Sequence, residues 1–131
     1  MVIDKELPLG LIANTAAVLA ASLGRQVDGL IGKDVLDQDE TLHPGITQAT
    51  ISLLSGDSPL IHSIRQKLVT DQPGDLYFVD FCDVAQRSKK YEDYTAQLSQ
   101  TPENELHYLG IAIYGPNKQV DRLTGSIALL R

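Results

Sequence analysis

Hydrophobic and polar positions follow two different periods along this sequence. Val2-Ile3 followed by Asp4 reads as a short apolar strand ending in polar residues. After Leu7-Pro8-Leu9-Gly10 the period lengthens, and a helix is expected from about Leu11 to Leu23. Ile12, Ala16, Leu19 and Leu23 share one face of it, while Ala13, Ala17, Ala20 and Ala21 form a small-residue face. A helix apolar on most sides is packed on more than one, and its small face permits close approach to a sheet. Gly24 is expected to close it.

Val27–Ile31 reads as a short irregular strand and Gly32–Gly45 as an acidic loop ending in His43-Pro44-Gly45. Thr47–Leu54 alternates and is rich in β-branched residues, which predicts a strand. Ser58 is the expected N-cap of the next helix, with Pro59 at its first position. That helix runs to about Val69 and buries Leu60, Ile64 and Leu68. Asp71–Gly74 breaks the chain before the strand Leu76–Val79. A polar helix over Ser88–Leu98 and a short one capped by Thr101 follow. Tyr108–Tyr114 is a strand, Asn117–Leu123 a helix closed by Gly125, and Ser126–Leu130 a last strand. Strands alternating with helices predict one α/β domain over residues 1–131 with a mostly parallel or mixed sheet.

Composition narrows the partners. Seventeen Asp and Glu against 11 Lys and Arg give a net charge of −6, which repels phosphates and argues against nucleic acid. Cys82 is the single cysteine, so no intrachain disulfide or multi-cysteine metal site exists, as suits a reducing cytosol. Leu7–Gly24 is uncharged, but Pro8, Gly10, Asn14, Thr15 and Ser22 interrupt it, so it is expected as a buried helix and not a membrane span. His43, His62 and His107 lack metal-ligand spacing. No metal and no cofactor are therefore expected.

Ligands in open α/β sheets gather at the carboxyl ends of strands and at helix N-termini. Asp4 and Asp80 both follow predicted strands. Were these strands parallel neighbours, the two carboxylates would share a crevice with the helix start at Gly10, Asn14 and Thr15. Asp80 and Asp83 either share acid–base work or open a helix through an Asx-turn. Cys82 reads as a buried structural thiol beside Asp83. His43 is a loop candidate. Arg87-Ser88-Lys89-Lys90 either holds a phosphate or forms a solvated face with Glu92 and Asp93. Phosphate-binding glycine loops and the nucleophile-elbow serine pattern are absent from the sequence.

Two stretches carry a family resemblance. Asp4-Lys5-Glu6-Leu7-Pro8-Leu9-Gly10-Leu11-Ile12-Ala13 resembles the opening of type 2 peptidyl-tRNA hydrolases. Tyr114-Gly115-Pro116 and Val120–Leu130 resemble their closing helix and strand. The sequence is more similar still to an uncharacterised relative of those enzymes, domain-of-unknown-function family 2000, through Val2–Thr15, His43-Pro44-Gly45-Ile46, Val79–Gln86 and Tyr108–Arg131. The resemblance implies a three-layer α/β/α fold with a mixed sheet, and dimerisation. It also implies that most of the hydrolase chemistry is gone. Leu9 and Leu11 replace the lysines around the helix-opening glycine, Thr15 a glutamine, Val18 a histidine, and Val84 and Gly110 two threonines. Only the aspartate is matched, by Asp80. The expected function is thus binding of a small ligand in a crevice lined by Asp4, Gly10, Asn14, Thr15 and Asp80, with Asp83 and His43 as further candidates. The alternatives are hydrolysis of an aminoacyl or peptidyl ester, with Asp80 orienting water, and a dimeric protein-binding scaffold.

Overall fold

Tyr108–Tyr114, seven residues without a charge, lies at the middle of the molecule. The computed structural model describes residues 1–71 and 74–131; of the break expected at Asp71–Gly74, Gln72 and Pro73 lie outside the described residues. In chain order the elements are β1 (Val2–Asp4), α1 (Leu9–Gln26), β2 (Val35–Leu36), β3 (Leu42–His43), β4 (Leu54–Gly56) and α2 (Ser58–Asp71). There follow β5 (Tyr77–Cys82), α3 (Asp83–Arg87), α4 (Tyr91–Leu98), a 3-10 turn (Glu103–Glu105), β6 (Tyr108–Tyr114) and α5 (Asn117–Thr124).

Four strands form one mixed sheet in the order β4-β1-β6-β5, and β2 with β3 makes a separate hairpin. β1 pairs with β4 in parallel, whereas β6 is antiparallel to both β1 and β5. Side chains alternate across a strand, and β6 feeds two cores. The irregular pairing that leaves Leu109 between the Cys82–Tyr108 and Phe81–Gly110 partners shifts that alternation by one residue at the Tyr108 end. Ile111 and Tyr108 join Val2, Ile61, Ile64 and Leu68 under α2. Ala112 and Leu109 join Leu19, Leu23 and Phe81 under α1. Gly110 explains how α1 comes so close: a Cβ there would stand 2.6 Å from Thr15 Cγ2 and 3.0 Å from Leu19 Cδ1.

Several expectations are corrected. α1 runs through Gly24 to Gln26, since the Val27 N–H still reaches the Leu23 carbonyl at 3.1 Å; the left-handed turn comes later, at Gly29 with φ 75°. Val27–Ile31 supplies only a single bridge, Ile31 to Thr47, and Ser126–Leu130 only one, Leu129 to Leu54. The strand expected over Thr47–Leu54 is displaced to Leu54–Gly56, sharing only Leu54 with it and taking in Ser55 and Gly56 from the expected turn, because those three residues are the ones that pair with the three-residue β1. The acidic loop folds into the β2–β3 hairpin, with the Asp37 carboxylate accepting the Asp39 and Thr41 N–H groups. Asp57, not Ser58, caps α2: its Oδ1 accepts the Leu60 N–H at 2.9 Å. Thr101 donates back to the Gln97 carbonyl and so closes α4 instead of opening the 3-10 turn, whose N-cap is Pro102.

Candidate functional site

β1 and β5 point the same way but are not neighbours, because β6 runs between them. Asp80 stands in one row with Ile111 and Val2, and its side chain lies on the α2 side of the sheet, paired with Arg65. Thr15 lies on the other side, fully buried against Gly110, with its Oγ1 unbonded among the described residues. The remaining candidates are dispersed. Asp4 Oδ1 accepts the Glu6 N–H at 3.0 Å, and Gly10 is an exposed residue in the first turn of α1. Asn14 donates to Gln86 Oε1 at 3.1 Å. Asp83 opens α3; its Oδ1 accepts the His107 N–H at 3.2 Å, while Oδ2 pairs with Arg87. His43 sits on the hairpin, 3.1 Å from Asp37.

Asp80 does border a cleft, of about 730 Å³, and none of Asp4, Gly10, Asn14, Thr15, Asp83 and His43 lines it. Its floor is β5, through Val79, Asp80 and Phe81. One wall is α1, where Val18, Ser22 and Arg25 recur at helical spacing on a single face. The other wall is the passage from α3 into α4, carrying Ser88, Lys89, Lys90, Tyr91 and Tyr94. β5 is the end strand of the sheet. Among the described residues, no backbone hydrogen bond outside the β5–β6 ladder engages it.

The charge arrangement around this cleft is asymmetric. Among the described residues Arg25, Lys89 and Lys90 form no ion pair. Of the basic run, only Arg87 is engaged, by Asp83; Glu92 and Asp93 do not line the cleft. Asp80, the one carboxylate in the lining, is held by Arg65 Nε at 2.7 Å. Burial works against the Arg65 charge, but Asp80 and Glu103 outweigh it and keep the guanidinium pKa above its ordinary value. Glu103 accepts from both Arg65 and Gln66, which fastens the 3-10 turn to α2. The Arg65 guanidinium also lies 5.2 Å from the Tyr108 ring centroid, and His62 stacks on that ring at 5.7 Å.

The cleft therefore presents three uncompensated cations beside a neutralised aspartate. Tyr94 packs edge-on to Tyr91 with centroids 5.6 Å apart, and burial raises its phenol pKa, helped by Cys82 and Asp80. Sequence reasoning reached Asp80 and the Lys89-Lys90 pair but missed Arg25. Its only local signal is the Val18-Ser22-Arg25 stripe, which lies on a helix that otherwise reads as apolar. Among the described residues no group of three or more His, Cys, Asp or Glu could hold a metal ion. Nor is any described helix long and apolar enough to cross a membrane.

Comparison with known proteins adds fold and family. The family model described as "Protein of unknown function (DUF2000)" matches residues 1–131. A solved structure of a protein of unknown function from Agrobacterium tumefaciens strain C58 superposes with a TM-score of 0.84, covering 98% of this chain and 93% of that one at 15% identity. At that identity the likeness speaks for the fold alone. No curated protein matches the chain in sequence.

Proposed function

Because the chain belongs to the DUF2000 family of proteins of unknown function, we propose its function from its own geometry: it binds an anionic ligand in the cleft along β5. The observation that carries this reading is the set of unpaired cations, Arg25, Lys89 and Lys90, around a cavity whose single carboxylate is already paired with Arg65. In a chain of net charge −6, distant carboxylates oppose an anion only weakly, because exposed charges are screened beyond roughly 10 Å at ordinary salt. Charges inside the cleft act at contact. Val18, Phe81 and Tyr91 add apolar and aromatic surface for the rest of the ligand.

The same geometry favours binding over ester hydrolysis. A general base must present a free lone pair to water. Asp83 has both oxygens engaged, by the His107 N–H and Arg87, and Asp80 keeps only Oδ1 free, its Oδ2 being paired with Arg65. The proposal includes descent from the three-layer fold of the type 2 peptidyl-tRNA hydrolases without their chemistry, supported by α1 and α2 packing on opposite faces of a mixed sheet. Leu9 and Leu11, at the positions those enzymes fill with lysine, offer nothing to a tRNA phosphate.

Titration of the isotopically labelled chain with benzoate, and separately with inorganic phosphate, tests the cleft. Amide shifts are expected at Ser22, Arg25 and Lys89–Tyr94. Replacing Lys89 and Lys90 together by Gln should weaken binding roughly tenfold, at about 1 kcal/mol or less for each exposed charge. Shifts confined to other surfaces, or an unchanged affinity in the double variant, would sink the reading.

A further inference from the structure

The floor of the cleft is a strand edge, and a strand edge selects its own kind of ligand. Building on the anion-binding reading above, we propose that the occupant is an extended acidic peptide segment that adds to the sheet beside β5. β5 is six residues long and ends the sheet. Its outer row of N–H and C=O groups has no backbone partner among the described residues. These groups do not face open solvent on all sides: Val79 and Asp80 are half-buried and Phe81 is buried, with α1 on one side and α4 on the other. Backbone groups in a walled groove call for a partner with matching spacing, and a main chain in extended conformation offers one donor and one acceptor per residue at about 3.3 Å rise. A compact anion would satisfy the cations and leave the edge unpaired.

The charges define the peptide's sequence class. Arg25 belongs to α1, which packs on one face of the sheet. Lys89 and Lys90 lead into α4, whose Tyr94 and Leu98 pack with the core on the other face. Successive side chains of an added strand point to opposite faces, so two adjacent acidic residues would each meet a cation. The register shift between Phe81 and Cys82 ends regular pairing at that end, which leaves Tyr77–Phe81 as the platform. A second copy of this chain fits the groove less well, because β5 against β5 would gather both sets of Arg25, Lys89 and Lys90 in one place. Unpaired edges are commonly blunted by charge against such self-association.

The experiment follows amide exchange and chemical shifts of the full chain with a capped eight-residue peptide of valines and threonines around a central Asp-Glu pair. The outward-facing amides of Tyr77–Phe81 are expected to slow in exchange. Methylating alternate backbone nitrogens of the peptide should weaken binding roughly tenfold or more, by removing main-chain donors without altering charge. If benzoate or phosphate shifts Arg25 and Lys89 while the peptide leaves β5 exchange unchanged, strand addition is wrong and the anion cleft stands. Equal binding of the methylated peptide likewise overturns strand addition. Protection of β5 that rises with protein concentration in the absence of peptide also overturns the proposal, in favour of a second copy. If neither small anion nor peptide perturbs the cleft, both readings fall.

Discussion

Tyr108 is 1% exposed, and its hydroxyl has no hydrogen-bond partner among the described residues. The ring is well used, stacked on His62 and capped by Arg65, so the side chain is retained for its face more than for its oxygen. Burial raises the phenol pKa from 10.0 to about 12, with Arg65 pulling the other way and Asp80 and Glu103 adding to the rise. A phenol kept neutral in the fold but free to ionise when unfolded contributes stability that is intact below pH 10 and lost as pH rises toward 12. Tyr108→Phe keeps the ring and removes both liabilities. An unbonded buried hydroxyl costs about 1–3 kcal/mol, so the variant should equal or exceed the parent in denaturant midpoint at pH 7. Its advantage should grow at pH 11. A loss of more than about 1 kcal/mol at pH 7 would mean that the hydroxyl is bonded after all, to an ordered water.

At the scale of elements, legibility follows length and self-sufficiency. β6 is found where its pattern predicts, Tyr108–Tyr114, because a continuous apolar run is specified by its own composition. α2 and α5 likewise fall close to their expected spans. The three-residue strand β4, the hairpin and the five-residue α3 owe their existence to partners that periodicity does not reveal, whereas the equally short β1 is found where Val2-Ile3 predicts it. The site divides in the same way. Asp80, Lys89 and Lys90 announce themselves as charges near a strand end and a helix start. The approach of Arg25 to β5 is tertiary and invisible in one dimension, as is the strand β6 that separates Asp4 from Asp80. Helix starts are a finer case, since Asp57 and Ser58 are both good capping residues and only geometry chooses. The Leu60 N–H is bonded to Asp57, so Asp57→Ala should cost about 1 kcal/mol while Ser58→Ala stays within about 0.5 kcal/mol. Paired urea melts decide it; a larger cost for Ser58→Ala would return the cap to Ser58.

For the whole molecule, the central question is whether the strand edge beneath the cleft is a fixed platform or one that frays. Cys82 reports on this directly, because it ends β5 and is 3% exposed in the core with Val2, Ile61 and Ile64. Burial pushes its thiol pKa up, and Asp80 and Asp83 push it further, whereas N–H groups of Ala85 and Val84 act in the opposite sense. Reaction with an alkylating reagent requires the thiolate in an accessible state, so labelling waits on opening of the structure. If β5 is held as firmly as the core, labelling at pH 8 should be roughly a thousandfold slower than in the urea-unfolded chain, the order expected when unfolded molecules are 10⁻³ of the total or rarer. It should accelerate in step with global unfolding as denaturant is added. Rapid labelling with the far-UV signal intact would instead place β5 and α3 in a locally opening unit. A ligand added to that edge would then bear the cost of ordering it, and its affinity would fall by the fraction of molecules in which the edge is formed. The labelling rate therefore tests the mechanical premise of the cleft without requiring any ligand.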